Sequence, residues 1–463
     1  MRSSGRSGAS FRDPSGFLFT RDGVLHRQVN RSYRSTFDQL EQSGLVAELV
    51  GAGLLIPHAI VDSAPAEPAT ASLVIRPQAL PFISYPYEWC FSQLQDAALA
   101  TLEIQTRAMA RGLSLKDASA YNIQFHRGRP LLVDTLSFEP YREGDPWVAY
   151  RQFCQHFLAP LALMSRRDVR LGQLLRVHID GVPLDLTVRL LPWKARLNLG
   201  LLTHLYLHAA SQRRYAGAEV RQARGNRRVS RTGFLGLIDN LRRTVAGLHW
   251  EAGRTPWAEY ETMHNYSPAA LEAKRRLVDE FLDLARPASL WDLGANTGAF
   301  SRLAAERKIP TLAFDVDPSA VETAYRAVRA EGGGNLLPLL LDLTNPSPAQ
   351  GWHHDERMSL AERGPADAVM ALALVHHLAI GNNVPLPQVA AFLADLGQWL
   401  IIEFVPKTDS QVRRLLAARE DIFEDYNVEG FERAFSGLFE LRRREAIVES
   451  ERALYLWERL EPR

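Results

Sequence analysis

The stretch most able to do chemistry is Leu290-Trp291-Asp292-Leu293-Gly294-Ala295-Asn296-Thr297-Gly298, placed where an apolar strand hands over to a helix. Glycines in such a turn let a ligand approach the backbone, and the helix that follows offers free N–H groups and a positive dipole end to an anion. Asp292 closes this strand, and Asp315 closes the next one, about 20 residues beyond the glycines. A carboxylate at that second position suits a ribose diol, because it accepts hydrogen bonds from both hydroxyls. Asp342, in Leu340-Leu341-Asp342-Leu343, ends a third strand, where it can accept from the exocyclic amine of an adenine.

A ribose acid serves a nicotinamide dinucleotide and S-adenosylmethionine (SAM) alike. The spacing Gly294-x-Asn296-x-Gly298 is not the G-x-G-x-x-G of a pyrophosphate-binding turn. Asp292 would repel a pyrophosphate but pairs well with the ammonium of a methionine moiety, whose carboxylate the helix N-terminus can hold. SAM is therefore the expected cofactor, with Asp292, Gly294, Asn296, Gly298, Asp315 and Asp342 as its contacts.

The stretch from about Ser289 to the end resembles the class I SAM-dependent methyltransferases, with Asn296 standing where a glycine is commoner. More narrowly, Trp291 to Gly298, Ala371 to Pro385 and Ile401 to Lys407 resemble the nodulation-protein-related methyltransferases, a likeness that covers both halves of the chain. The resemblance implies an enzyme that transfers a methyl group to an acceptor it does not identify. Methyl transfer from a sulfonium is an in-line displacement, so the protein must hold the nucleophile and, where needed, remove a proton. Candidate bases are His376 and His377 after the fourth strand, and Glu403 on the fifth. Histidine titrates in the right range, although similar methyltransferases use one there to pack against the cofactor edge. Gly381 to Pro385 is a candidate acceptor loop or a plain turn; Tyr260, His264, Asn265 and Tyr266 form a lid or anchor a domain junction. No Asn/Asp-Pro-Pro-Tyr motif follows the fourth strand, which weighs against amide and adenine N-methyl transfer.

In the N-terminal half, Asp117 and Asn122 with four residues between them, followed by Asp134, resemble the base and two metal ligands of protein-kinase-like folds. The departures are large. Leu115 stands where the histidine belongs, Thr135 and Leu136 replace Phe-Gly, no glycine-rich phosphate loop is visible, and Arg27 is the best stand-in for the lysine. The expectation is an inactive kinase-like α+β domain that helps recognise the acceptor. No metal is expected unless that domain is live, in which case Asn122 and Asp134 would hold it. A SAM-binding scaffold without turnover, and a bifunctional methyltransferase/phosphotransferase, stay open as alternatives.

The elements that must position these residues follow from periodicity. A hairpin over Phe17 to Val29, a helix over Ser35 to Val50, strands at Ala71 to Arg76 and Pro81 to Tyr85, and a helix over Phe91 to Arg111 come first. Short strands at Ser119 to Phe125 and Pro130 to Val133 precede a helical run from Pro146. Tyr85 to Cys90 would fall at a hinge. From Ser267-Pro268, an N-cap with proline at N1, helices and strands alternate as in a mostly parallel Rossmann-like sheet. Leu438 to Ile447 and Arg452 to Arg459 add an antiparallel edge. The expected domains are a flexible start (1–16), a kinase-like α+β domain (17–211), a linker (212–255) rich in arginine (Arg213, Arg214, Arg221, Arg224, Arg227, Arg228, Arg231), and the methyltransferase domain (256–463).

With 54 basic and 53 acidic residues among 463, no global field draws the chain to nucleic acid. Two cysteines, Cys90 and Cys154, without a nearby partner, suggest neither a metal knuckle nor a CxxC redox pair, and a reducing compartment is expected. No apolar run reaches the roughly 18 residues of a membrane span. A cytoplasmic protein without membrane insertion is expected; its oligomeric state is not legible.

Overall fold

The computed structural model describes residues 5–215, 228–253, 266–417 and 419–461, arranged in two compact units. Unit 1 spans Met1–Glu251 together with Gln350–Arg357, and unit 2 spans Ala252–Ala349 and Met358–Arg463.

Unit 1 opens with an antiparallel sheet in the order β1-β2-β3-β5-β4, formed by β1 (Gly5–Arg6), β2 (Gly16–Arg21), β3 (Val24–Asn30), β4 (His58–Val61) and β5 (Ala71–Pro77). The β2–β3 hairpin turns at Asp22-Gly23, both at positive φ, as the sequence predicts. The single helix expected over Ser35 to Val50 is two, Arg34–Gln42 and Leu45–Gly51, because Gly44 adopts a left-handed φ of 74° between them. Pro81 to Tyr85 is not a strand. The chain instead enters a 3-10 turn, Pro86–Glu88, where the Glu88 carboxylate accepts from the Tyr85 N–H at 2.8 Å. The helix Phe91–Ala110 follows, then two short hairpin-like pairs: β6 (Leu113–Leu115) with β9 (Phe138–Pro140), and β7 (Ile123–His126) with β8 (Arg129–Leu132).

Part of the stretch expected to be linker is ordered core. Arg231–Ala246 is a helix that buries Phe234, Ile238, Leu241 and Val245, an apolar stripe at helical spacing. Gln95 Nε2 on Phe91–Ala110 donates to the carbonyls of Val245 (2.9 Å) and Leu248 (2.8 Å), and Arg242 pairs with Glu103 at 3.0 Å. Arg221, Arg224 and Arg227 lie outside the described residues, as do the side chains of Arg213 and Arg214.

Unit 2 is a seven-stranded sheet in the order β12-β11-β10-β13-β14-β16-β15. Its strands are β10 (Leu290–Leu293), β11 (Thr311–Asp315), β12 (Leu336–Leu340), β13 (Ala366–Ala371), β14 (Gly397–Phe404), β15 (Phe439–Ala446) and β16 (Ala453–Arg459). The first five are parallel, and β16 pairs antiparallel with both β14 and β15. This is the mixed Rossmann-like sheet with an antiparallel edge. The helices Pro268–Ala285, Pro318–Ala330 and Leu386–Leu396 connect it. Ser267 Oγ caps the first of these by accepting from the Ala270 N–H at 3.1 Å. Leu290, Leu293, Met370 and Ile401 are fully buried, as expected of strands covered on both faces. Strand order reverses between β10 and β13, the topological switch point outside which open α/β sheets bind their ligands. Among the described residues, no helix is long and apolar enough to cross a membrane.

Candidate cofactor and acceptor site

The turn after β10 is held from below by β11. The N–H groups of Gly294 and Ala295 both donate to the Phe314 carbonyl, at 2.8 and 2.9 Å, and the Asn296 N–H donates to Asp315 Oδ2 at 2.7 Å. Gly294, Asn296 and Gly298 all take left-handed φ values of 75°, 50° and 82°. A Cβ on Gly294 would lie 3.2 Å from Leu374 Cδ1, so a side chain there would be strained and crowded at once. The helix that follows is short, Ser301–Glu306, and begins past the turn.

Each predicted acid occupies a strand end. Asp292 is 2% exposed and accepts from Ser301 Oγ at 2.6 Å. Burial pushes its pKa up to about 7 against the opposing pull of that hydrogen bond and of Lys274. Asp315 takes the Asn296 N–H on one oxygen and the Asp317 N–H on the other, at 2.8 Å, and burial still raises its pKa. Each of its oxygens keeps a lone pair for a further donor. Asp342 lies exposed just past β12, and its Oδ1 accepts from the Thr344 N–H (2.8 Å) and Oγ1 (2.6 Å).

His376 and His377 follow β13, their rings 4.1 Å apart. His376 is fully buried, and neither ring nitrogen has a hydrogen-bond partner. Burial, with the charges of His377, Arg452 and Lys274, drives its pKa well down. Burial and Arg452 bring His377 to about 4. Both rings are neutral at pH 7.

Glu403 was a candidate base from sequence. In the fold it is the hub of a buried ionic cluster: Lys274 Nζ donates to its Oε2 at 2.6 Å, while the Tyr266 hydroxyl and Arg452 Nη1 (3.3 Å) donate to its Oε1. Burial alone would raise its pKa, but Lys274 and Arg452 hold it below the usual carboxylate range. Glu403 is thus an ionised anchor and not a base. Arg452 also donates through Nε to Asp409 at 2.8 Å, which leaves its Nη2 buried with no partner. The guanidinium lies 4.6 Å over the Tyr266 ring. Sequence reasoning missed Lys274, Arg452 and Asp409. Of the lid candidates, Tyr266 joins this cluster, and Tyr260, His264 and Asn265 fall outside the described residues.

In unit 1, Asp134 is occupied from within. Arg27, 4% exposed, reaches Asp134 Oδ1 with Nη1 at 2.6 Å and Asp13 Oδ2 with Nη2 at 3.0 Å. Ser137 Oγ donates to Asp134 Oδ2 at 2.8 Å and accepts from Asn122 Nδ2 at 3.4 Å. Burial and the nearby Asp134 raise the pKa of Asp117. The predicted hinge residues Tyr85 to Cys90 are buried.

Unit 2 therefore belongs to the Rossmann-like α/β class, with Asp292 and Asp315 at strand ends beside its topological switch point. The chain is 38% identical over 470 residues to the nodulation protein NoeA of Rhizobium meliloti (strain 1021), covering 99% of this chain and 97% of that one. It belongs to the NoeA family. No protein-family model matches it. Among solved structures, magnesium protoporphyrin IX methyltransferase (ChlM) from Synechocystis PCC 6803 with bound S-adenosylhomocysteine (SAH) is 16% identical and covers 44% of this chain and 93% of its own, at a TM-score of 0.31. WbdD is 15% identical over 43% of this chain and 42% of its own, at 0.30. The class rests on strand order and site geometry, not on these scores.

Proposed function

We propose that the chain is a SAM-dependent methyltransferase. The observation that carries this reading is the turn after β10, whose Asn296 N–H is tied to Asp315 while Gly294 and Gly298 keep the backbone open to a ligand. The groups present fit SAM. Asp292 would take the methionine ammonium, Asp315 the ribose diol and Asp342 the adenine amine, leaving the ends of β13 and β14 for the acceptor. SAM would supply an electrophilic methyl group there; the chain's own part is to bind, to orient the nucleophile and to take its proton.

Calorimetric titration with SAH, comparing wild type with Asp315→Ala, tests the cofactor. Methyl-labelled SAM incubated with a size-fractionated host lysate tests transfer. Label in one fraction with wild type alone supports an enzyme and tells a large acceptor from a small one. Binding without label in any fraction favours a SAM-binding scaffold, and absence of SAH binding removes the proposal.

Unit 1 we read as a degenerate kinase-like domain that contributes to acceptor recognition. The ion pair of Arg27 with Asp134 supports inactivity, since a guanidinium already saturates the carboxylate a metal would need. Magnesium-dependent ATP binding, lost in Asp134→Ala, would instead favour a bifunctional enzyme.

A further inference from the structure

The ends of β13 and β14 bring together polar atoms that the fold leaves unused. A buried polar atom without a partner is costly, and native proteins leave few of them. His376 carries two, Nδ1 and Nε2, and Arg452 carries one, Nη2; these residues are 0% and 1% exposed. Arg452 precedes β16, which pairs with β14, so both residues stand at strand ends on one side of the switch point. The atoms differ in kind. A neutral imidazole offers one donor and one acceptor, and Arg452 Nη2 offers only donors.

We propose, resting on the methyltransferase reading above, that the acceptor is a hydroxyl flanked by a second oxygen. His376 takes the hydroxyl proton, Arg452 Nη2 binds the neighbouring oxygen, and the product is a methyl ether. In the transfer, the hydroxyl oxygen bonds to the methyl carbon while the carbon–sulfur bond breaks. The electron pair of that bond stays on sulfur and SAH leaves. As the oxygen gains the methyl group it becomes a far stronger acid, so its proton passes late to an imidazole nitrogen of His376 despite the low proton affinity of that ring, and leaves when the product does.

Charge selects oxygen over nitrogen. The charges acting on the His376 ring include Arg452 and Lys274, which disfavour a second proton on that ring. The same positive field opposes an amine arriving as ammonium and favours negative charge growing on an acceptor oxygen. Glu403 holds the two cations in place through its bonds to Lys274, Tyr266 and Arg452.

The test uses the full chain loaded with SAH and two probes: glycolate, a hydroxyl beside an anionic oxygen, and methylammonium. Nitrogen NMR reads the His376 ring and the Arg452 guanidinium. Glycolate is expected to shift both signals saturably, and methylammonium neither. His376→Asn and Arg452→Lys should each keep the wild-type SAH affinity, lose the glycolate response, and lower methyl transfer to lysate acceptors by about 10²-fold or more. Retained SAH binding shows that a variant is folded, and either variant alone suffices. No saturable response to glycolate, an equal response to methylammonium, or label recovered on nitrogen overturns the proposal. Failure of the wild type to bind SAH would instead bring down the methyltransferase reading beneath it.

Discussion

Replacing Asp292 with asparagine should make unit 2 more stable and a poorer binder of SAM. Asp292 sits on β10 at 2% exposure, and its pKa moves from 3.8 in the unfolded chain to about 7 in the fold. Below pH 3.8 both states are protonated and the group contributes nothing. As pH rises toward 7, the unfolded chain releases its proton while the folded one retains it, so the fold loses stability, and the loss is complete above pH 7. About three decades of proton affinity, at roughly 1.4 kcal/mol each, set the full penalty at about 4 kcal/mol. Asparagine removes the ionisation, and its carbonyl still accepts from Ser301 Oγ. The gain from Asp292→Asn should therefore be near zero at pH 4, partial at pH 5.5 and about 4 kcal/mol at pH 8. The two units need not unfold together, so pulse proteolysis in urea, scored on peptides from β10 to β13, is the suitable assay. Other titrating groups cancel between variant and wild type. A variant no more stable than wild type at pH 8, or a gain that does not grow with pH, would refute the reasoning. Calorimetry should show the converse: SAH binding weakened in the variant, because the ammonium loses its counter-charge.

Three other outcomes are expected. Gly294→Ala forces a left-handed L-residue against Leu374; it should cost about 1–2 kcal/mol in unit 2 and weaken SAH binding at least tenfold by calorimetry. Glu403→Gln strips the shared counter-charge from Lys274 and Arg452, so urea unfolding of unit 2 should show a loss of about 3–5 kcal/mol. Arg27→Met takes the shared guanidinium from the part-buried Asp13 and Asp134; a loss of about 1–3 kcal/mol is expected in unit 1 by the same proteolysis, with the SAH affinity unchanged.

The turn after β10 was legible because its parts are local: an apolar strand, two glycines, and acids recurring at successive strand ends. The ionic cluster was not. Lys274, Glu403 and Arg452 come from a helix, a strand and a loop far apart in the chain, and no spacing rule relates them. Glu403 was noticed for its position, but its state depends on Lys274 and Arg452, which only the fold brings to it. The helix Arg231–Ala246 was hidden for another reason. The arginines and glycines that run into it from the preceding stretch read as linker, yet Phe234, Ile238, Leu241 and Val245 recur at helical spacing and would have revealed it. The break at Gly44 and the missing strand before Tyr85 show local backbone geometry overriding an apolar pattern.

Residues 350–357 come from the second half of the sequence but belong to unit 1. There Glu356 takes Arg12 at 2.6 Å, Gln350 Nε2 donates to the Arg176 carbonyl at 2.7 Å, and Arg357 lies 4.4 Å over the Tyr121 ring. The chain must therefore leave unit 1, enter unit 2, return and leave again. A single cut near residue 251 would deprive unit 1 of a piece of itself. Neither unit is one continuous segment, so no single cut in the chain releases both of them whole.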